Sequence, residues 1–299
     1  MYREIALKLN QIFNDFIEEL ECMDKYCNLK SFNFSSSNLP NYNDGIIQKY
    51  YLLRFMMAYF TEYYEIYTQL IRMNFLEERF NILSVGCGCG IDFWGLRFAK
   101  QQTNSQMNIR YTGLDIVDWQ YWDSFNEEVY FINTDIRELQ CLDENEYNII
   151  IFPKSIGELD LLTFNQLKKA ICNTEFNSNK LVIISSLRST RTDVDKNRTK
   201  DIVQTLATSN MYSILDNLDT YWYFPKKENG WDYRIKDRIN ELDYPIEISN
   251  FMTSFYTNCQ GYIDNNKKCC YSNCSKILGR FPITTMSQVK YQIIRLERV

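Results

Sequence analysis

The sequence predicts an α/β fold class: a doubly wound, mostly parallel sheet of seven strands, with an N-terminal helical cap and a Cys-rich insertion. Five short apolar segments rich in β-branched residues follow one another from residue 80 onward. Polar or amphipathic segments of helical length separate most of them. Because these apolar segments are nearly continuous rather than alternating, they are typical of strands that are buried on both faces of a parallel sheet.

The elements are predicted in chain order, beginning with helices. An amphipathic helix starts the chain, and a long aromatic helix follows a polar loop, at about residues 44–74. The first five strands are expected at 80–85, 110–115, 129–135, 147–152 and 180–186. Helices that cover the sheet are expected at about 88–101, 157–172 and 196–209. Two last strands are expected at 220–224 and 291–296.

This order divides the chain into four segments. Residues 1–79 form the helical cap, and residues 80–224 form the α/β core. Residues 225–290, which are polar and rich in cysteine, form an insertion or small substrate-binding subdomain. Residues 291–299 return to the core as the last strand of its sheet.

The composition excludes several kinds of chemistry. The 299 residues are 45% hydrophobic, which is enough to fill the core of a globular protein. The chain contains no histidine, so Ser-His-Asp catalysis, Cys-His catalysis and histidine-ligated zinc are excluded. A net charge of −5 disfavours bulk binding of nucleic acid. The locally basic residues 188–200 are interpreted as a loop and helix start, with contact to RNA as the alternative.

The N-terminal segment differs from a secretory signal. Charges begin at Arg3, and apolar residues recur at helical spacing instead of forming an unbroken run. The aromatic helix is interrupted by charges and falls short of the roughly 18 uncharged residues of a membrane span. We therefore expect a cytoplasmic protein with no membrane segment, whose ten cysteines are reduced.

The stretch VGCGCGID, residues 85–92, places three of the chain's ten glycines at alternate positions directly after the first strand. Glycines at the carboxyl end of such a strand let the chain turn sharply and let a ligand approach the backbone. The spacing G-x-G-x-G differs from the dinucleotide fingerprint G-x-G-x-x-G, and no Walker G-K-[ST] follows. We interpret this glycine loop as a ligand-binding turn.

Acidic residues end the two strands that follow the glycine loop. Asp115 lies at the carboxyl tip of the second strand, where a carboxylate can accept hydrogen bonds from two ribose hydroxyls. Asp135 ends the third strand, one strand further along, where it suits an exocyclic amine. The loop and the two acids together indicate an adenosine site.

Residues 80–186 resemble the class I, Rossmann-like S-adenosylmethionine-dependent methyltransferases. The resemblance is carried by the glycine loop, by Asp115, by TDIREL at 134–139 and by NIIIFPKSIGEL at 148–159. It implies methyl transfer from S-adenosylmethionine to an acceptor that the sequence does not identify: a small molecule, a peptide or RNA. The implied cofactor-binding residues are Gly86, Gly88 and Gly90 for the methionyl part, Asp115 for the ribose, Asp135 and Ile136 for adenine, and Cys87, Ile116, Phe152 and Pro153 beside them.

The fourth strand ends in FPKS, which differs from the [DN]-P-P-[YF] motif that marks methylation of the adenine amine. Lys154 and Glu158 follow this strand, where substrate-facing groups are expected, and are the candidate catalytic residues. Glu158 is expected to orient the acceptor or handle its proton; the alternative is an acid that stabilises a helix start. Cys87 and Cys89 are interpreted as small fillers of the loop, with a redox or nucleophilic role as the alternative.

An aromatic stripe precedes the core. Tyr51, Phe55 and Tyr59 recur every four residues along one face of the long helix, and Arg54 lies at the edge of that face. The stripe is typical of helix packing. The alternative is that this helix covers the cofactor pocket, with Tyr51 lining it and Arg54 pairing with the methionyl carboxylate.

Four cysteines lie within sixteen residues of the insertion: Cys259, Cys269, Cys270 and Cys274. Four thiolates suit a structural zinc site, and an iron–sulfur cluster is the alternative metal centre. The alternative is buried or free thiols, because the C-x9-C-C-x3-C spacing matches no standard zinc motif.

Three functions remain open at this point. The first is an S-adenosylmethionine-dependent methyltransferase. The second is a non-catalytic adenosine-cofactor binding module whose Cys-rich element binds a partner. The third is an aminocarboxypropyl transferase on the same fold. The oligomeric state is not predicted.

Overall fold

The computed structural model describes residues 2–23, 26, 29, 40–76, 79–122, 128–142, 146–224, 244–268, 278–284 and 289–299. The helices in this part of the chain are α1 (Tyr2–Met23), α2 (Gly45–Met73), α3 (Ile91–Gln102), α4 (Leu161–Cys172), α5 (Thr192–Ser209), α6 (Ile246–Ser254) and α7 (Gln260–Asp264). The strands are β1 (Arg79–Val85), β2 (Asn108–Asp115), β3 (Glu128–Asn133), β4 (Ile149–Pro153), β5 (Lys180–Leu187), β6 (Tyr212–Ile214), β7 (Trp222–Phe224) and β8 (Val289–Arg298). None of these helices is long and apolar enough to cross a membrane.

The strands form one sheet in the order β3-β2-β1-β4-β5-β8-β6, and β7 also pairs with β8. The first five strands run parallel to one another, and β8 is antiparallel to β5. The chain therefore winds outward from β1 in both directions, which confirms the predicted doubly wound, mostly parallel fold. The described sheet has eight strands instead of the predicted seven, because the short β6 pairs with the end of β8.

The parallel strands form because their residues are apolar throughout. Residues 149–152 and 181–184, in the centre of the sheet, are fully buried. A cluster of buried side chains from α4 and α5, including Leu167 and Leu206, packs with these strands. The register aligns Val85 with Leu114 and Ser84 with Ile151, so the carboxyl ends of β1, β2 and β4 lie at one edge of the sheet. That edge carries the glycine loop and the acid predicted at the end of β2.

Contacts between residues divide the chain into two compact units. Unit 2 comprises Glu62–Asp118, Trp122–Ile235 and Ser287–Val299, and it contains the whole sheet. Unit 1 comprises Met1–Thr61, Trp119–Tyr121 and Lys236–Met286. The four-segment division drawn from the sequence stays a prediction.

The core of unit 1 is helical and aromatic. The face of α1 that carries Leu9, Ile12 and Phe16 is buried. The Phe16 ring packs edge-on against Phe251 and Phe255, with centroids 6.5 and 5.6 Å away. Edge-to-face contacts of this kind are favourable beyond the area that they bury, so they help to hold α1 against α6.

Candidate active site

The glycine loop after β1 is built from left-handed backbone. Gly86, Gly88 and Gly90 have φ values of 70°, 58° and 76°, in the region that only glycine adopts without strain. The N–H groups of Gly86 and Cys87 both donate to the Leu114 carbonyl, at 2.7 and 3.2 Å. These bonds fold the loop over the end of β2. Helix α3 therefore begins at Ile91, three residues later than predicted, because the loop needs residues 86–90.

Gly86 also has no room for a side chain. A Cβ atom there would lie 2.5 Å from the Cβ of Ser155, in the loop after β4. The Ser155 hydroxyl donates to the Val85 carbonyl, so it fixes the loop after β4 to the end of β1. The first glycine is therefore required by a close approach as well as by its backbone conformation.

Asp115 fastens the glycine loop. Its Oδ2 accepts a hydrogen bond of 2.8 Å from the Gly88 N–H, and its Oδ1 accepts one of 2.9 Å from the Val117 N–H. A carboxylate has about four lone-pair sites, and this acceptor chemistry is the one expected of a group that binds ribose hydroxyls. The structure thus places the predicted ribose acid against the predicted methionyl loop.

The residues predicted to flank the cofactor differ in exposure. Ile116, directly after Asp115, is 61% exposed although it is a large apolar side chain. Ile136, Phe152 and Cys87 are buried, and Pro153 is half-buried. Burial raises the pKa of the Cys87 thiol well above its usual value, and the nearby Asp115 and Asp92 raise it further. A thiol in this state is a poor nucleophile, which agrees with a filler role for Cys87.

Asp135 is already paired. It lies before the short 3-10 turn Ile136–Glu138 and accepts bonds from the Arg137 backbone N–H and, at 2.8 Å, from Arg137 Nε. The Arg137 guanidinium lowers the pKa of Asp135, chiefly through its side-chain hydrogen bonds. An adenine amine would therefore share this carboxylate with Arg137, a competitor that the sequence analysis did not consider.

Asp92, in the first turn of α3, is a buried acid beneath the glycine loop. Its carboxylate accepts hydrogen bonds from Ser84 Oγ at 2.9 Å and from the Tyr111 hydroxyl at 2.8 Å. Burial raises the pKa of Asp92 to about 6, although these two hydrogen bonds oppose the rise. Asp92 was not predicted as a site residue. Its signal in the sequence is an acid directly after the loop, in the otherwise apolar run GIDFWGL.

Lys154, a candidate catalytic residue, is held by an ion pair. Its backbone is left-handed, with a φ of 61°. Its Nζ lies 2.7 Å from Oε1 of Glu62, which is in α2 and fully buried. The Ser186 hydroxyl, at the end of β5, donates to the same Glu62 oxygen. Glu62 is a second residue that the sequence analysis missed, because nothing in YFTEYYE separates it from the acids around it.

Glu158, the other candidate catalytic residue, lies in the loop between β4 and α4 with its side chain 37% exposed. Its Oε1 is 3.6 Å from the Arg188 guanidinium. Partial desolvation by the surrounding protein raises the pKa of Glu158, while the positive charge of Arg188 lowers it by a smaller amount. A partly desolvated carboxylate with a raised pKa is the kind of group that can accept a proton near neutral pH.

The basic residues 188–200 support the loop after β4 instead of forming a free patch. Arg188 binds the buried Asp195 through Nη2 at 2.7 Å. A Cβ atom at Gly157 would clash with both side chains of this ion pair, so the pair occupies the space that a side chain there would need. Arg198 donates to the carbonyls of Ile156 and Leu159, at 2.8 and 2.6 Å. Both arginines are therefore committed to holding this loop, which leaves fewer cations for RNA.

Two predicted cofactor residues, Tyr51 and Arg54, belong to unit 1. The Tyr51 ring contacts Phe55 and Trp119, with centroids 5.6 and 5.7 Å apart, so the predicted stripe packs on itself. Arg54 is buried, and its Nη1 donates to the Tyr50 hydroxyl at 3.0 Å. A role of either residue in cofactor binding stays a prediction.

The predicted metal site falls mostly outside the described residues. Cys269, Cys270 and Cys274 all lie there, and Cys259 is a half-buried free thiol at the start of α7. Within the described part of the chain, no three Cys, Asp or Glu side chains are arranged to hold a metal ion. Zinc therefore stays a prediction that rests on the sequence.

No protein-family profile matches the chain, and no curated protein sequence matches it. Among solved structures, it is similar to the plantazolicin methyltransferase BpumL bound to S-adenosylhomocysteine, with 15% identity over 97% of this chain and 100% of that one and a TM-score of 0.41. It is also similar to a TehB-like S-adenosylmethionine-dependent methyltransferase from Corynebacterium glutamicum, with 13% identity over 51% and 77% of the two chains and a TM-score of 0.34. A third is the Burkholderia thailandensis 1,6-didemethyltoxoflavin-N1-methyltransferase, with 12% identity over 55% and 71% and a TM-score of 0.36. Likeness at this level assigns no substrate and no residue role.

The residues at this edge of the sheet fit an adenosine-containing cofactor. The left-handed glycines present bare backbone, and the Asp115 carboxylate lies against them. The exposed Ile116 offers an apolar surface next to that acid, where a flat base can lie. The class that this fold and site define is therefore a doubly wound α/β protein with a candidate nucleoside-binding edge.

Proposed function

We propose that this protein is an S-adenosylmethionine-dependent methyltransferase. One observation carries the proposal: the Gly88 N–H is bonded to Asp115 Oδ2 within a loop of three left-handed glycines. This arrangement brings bare backbone and a carboxylate together at the carboxyl edge of a parallel sheet. Ligands of open α/β sheets bind at such edges.

The glycine loop would hold the methionyl part, and Asp115 would hold the ribose. Ile116 and Ile136 would lie on either side of adenine, and Asp135 would accept from the adenine amine. When bound, S-adenosylmethionine supplies an electrophilic methyl group on a sulfonium. In-line transfer of such a group depends mainly on orientation, so the chain's task is to fix both reactants and exclude water.

The loop after β4 would face the acceptor. Ser155 and Gly86 hold this loop against the glycine loop. Arg188, which follows β5, and Arg198, in α5, hold it from the other side. Glu158 is an exposed acid of the loop, and its raised pKa suits the acceptance of a proton from an acceptor that carries one. Its proposed role is to orient the acceptor and remove that proton.

Isothermal titration with S-adenosylmethionine and S-adenosylhomocysteine tests the proposal. We expect wild-type protein to bind both, and Asp115→Ala to bind neither measurably. A Glu158→Gln variant should bind both as wild type does. If wild type does not bind, the proposal is wrong and the glycine loop is only a strand-to-helix turn. Zinc and iron content, measured on the same samples, tests the Cys-rich metal site.

Single-turnover measurement of bound S-adenosylmethionine then separates the open functions. A methyltransferase forms S-adenosylhomocysteine when its acceptor is present, whereas an aminocarboxypropyl transferase forms methylthioadenosine. A binding module forms neither. Product identity therefore decides between them on samples whose binding is already known.

A further inference from the structure

Glu62 lies beside the proposed active site within unit 2. It is joined to the glycine loop by a chain of contacts: its Oε1 binds Lys154 Nζ, and Ser155, the next residue, packs against Gly86. On its other side, the Ser186 hydroxyl at the end of β5 donates to Oε1. The Glu62 carboxylate therefore lies at the carboxyl ends of β4 and β5, next to the loop that would face the acceptor.

The two oxygens of this carboxylate differ. Oε1 accepts from both Lys154 and Ser186, whereas Oε2 has no hydrogen-bond partner among the described residues. The whole side chain is buried, with 0% exposure. A buried carboxylate oxygen without a donor is costly, because desolvation removes its water and nothing replaces it. Oε2 therefore marks a place where a hydrogen-bond donor is missing.

We propose that Oε2 of Glu62 accepts a hydrogen bond from an N–H group of the methyl acceptor, so that the acceptor is an amine. This inference rests on the proposed function and names its substrate class. An N–H donor suits this oxygen, because an amine nitrogen becomes positively charged on methylation and a carboxylate beside it stabilises that charge. Glu62 is fully buried and the Lys154 side chain is 15% exposed, so an amine that binds Oε2 would have to pass Lys154.

A carboxylate at this position also suits the charge change of the reaction. The neutral amine nitrogen forms a bond to the methyl carbon while the carbon–sulfur bond breaks and the thioether leaves. The nitrogen becomes positively charged and then loses one proton, which Glu158 is proposed to accept. Because Oε2 accepts a hydrogen bond from an N–H of the same nitrogen, the negative charge of the carboxylate stabilises the positive charge that develops on the nitrogen.

The α-ammonium of the cofactor's methionyl part has the same chemistry as an acceptor amine. The two sources are distinguished by what a Glu62 variant does to S-adenosylhomocysteine, which carries that ammonium but no acceptor. If Oε2 binds the acceptor, Glu62→Gln leaves affinity for S-adenosylhomocysteine within about twofold of wild type. If Oε2 binds the cofactor, that affinity falls.

The test uses benzylamine as the amine probe and benzyl methyl ether as a probe of similar shape that has no donor. Binding of each is measured by saturation-transfer proton NMR on full-length protein, with and without saturating S-adenosylhomocysteine. The variants are Glu62→Gln and Glu62→Asp. The matched control is Glu65→Gln, which changes a buried acid one turn along α2 that already accepts from Gln69 at 3.1 Å.

We expect Glu62→Gln to weaken benzylamine binding about tenfold or more, the effect of losing one hydrogen bond to a charged group. Glu65→Gln should leave it unchanged, Glu62→Asp should keep part of it, and the ether should not distinguish the variants. Benzylamine binding that is equal in wild type and Glu62→Gln, or absent from wild type in both conditions, overturns the inference. So does a tenfold loss of S-adenosylhomocysteine affinity in Glu62→Gln with benzylamine unaffected. Failure of wild type to bind S-adenosylhomocysteine refutes the proposed function separately.

Discussion

The Gly88 N–H donates a 2.8 Å hydrogen bond to Asp115 Oδ2, so the acid proposed for the ribose also holds the loop proposed for the methionyl part. The two halves of the candidate cofactor site are thus coupled through one side chain. A substitution of Asp115 acts twice: it removes the acceptor for hydroxyl groups, and it releases the backbone of the loop.

We therefore expect Asp115→Ala to weaken binding of S-adenosylhomocysteine by about 100-fold or more, because the two ribose hydroxyls lose their hydrogen bonds to a charged group. Asp115→Asn keeps one oxygen acceptor and should show a smaller loss. Isothermal titration measures both. Asp193→Ala, which removes a 91% exposed acid in α5, is the control and should bind as wild type does. Equal affinity of Asp115→Ala and wild type would contradict the assignment.

Gly86 and Ser155 supply a prediction about stability. Alanine at Gly86 must adopt a φ of 70° and must place its Cβ 2.5 Å from the Ser155 Cβ. We expect Gly86→Ala to lower the free energy of unfolding by about 2–4 kcal/mol, the sum of left-handed strain and overpacking. Urea denaturation measures the change.

The double variant Gly86→Ala/Ser155→Gly separates the two causes. It removes the steric conflict but not the backbone strain, so it should show a coupling free energy of about 1–2 kcal/mol relative to the single variants. Strict additivity of the single effects would show that the contact with Ser155 contributes nothing and that the left-handed backbone alone requires glycine.

Asp92 predicts a pH dependence of stability. Its pKa is raised to about 6 in the folded chain, so the folded state binds the Asp92 proton more tightly than the unfolded state does. The free energy of unfolding that this group contributes is therefore largest at low pH. It decreases as the pH rises from about 4 to about 6 and is constant above that range, a loss of about 3 kcal/mol.

Urea denaturation of wild type and Asp92→Asn between pH 4 and pH 8 isolates this contribution, because the other titrating groups are common to both proteins. We expect the stability of wild type relative to Asp92→Asn to fall across the window and to level off above it. A difference that is constant with pH would show that Asp92 titrates alike in the folded and unfolded chain.

The sheet and the glycine loop could be predicted because their signals are local. An apolar run followed by alternate glycines indicates a buried strand and a turn, and Asp115 could be placed because parallel strands end at one edge. Strand β6 could not be predicted. It has only three residues, Tyr212–Ile214, which are too few to show a periodic pattern, and it forms by pairing with β8. Helix α4 starts at Leu161 instead of 157, because Asp160 caps it through the Thr163 N–H.

The partners within the site could not be predicted, because they are distant in sequence. Lys154 and Glu62 were both visible as charges, yet their ion pair forms only when α2 packs beside the ends of β4 and β5. The basic residues 188–200 were interpreted as a loop and helix start, and only the fold shows Arg188 turned toward the buried Asp195. Sequence spacing defines which residues share an element; it does not define which elements meet.

The ion pair of Lys154 and Glu62 gives a last prediction, which concerns stability and not the acceptor. Lys154→Met leaves the buried Glu62 carboxylate without its cation, so we expect the free energy of unfolding to fall by about 3 kcal/mol. The double variant Lys154→Met/Glu62→Gln carries no buried charge at this position and should recover at least about half of that loss. Urea denaturation at pH 7 measures all three proteins. The control is Lys168→Met, which breaks a partly exposed pair with Asp201 and is expected to cost less than about 1 kcal/mol. If Lys154→Met costs no more than this control, the pair does not stabilise the fold, and the left-handed backbone of Lys154 must be maintained by Ser155 and its neighbours alone.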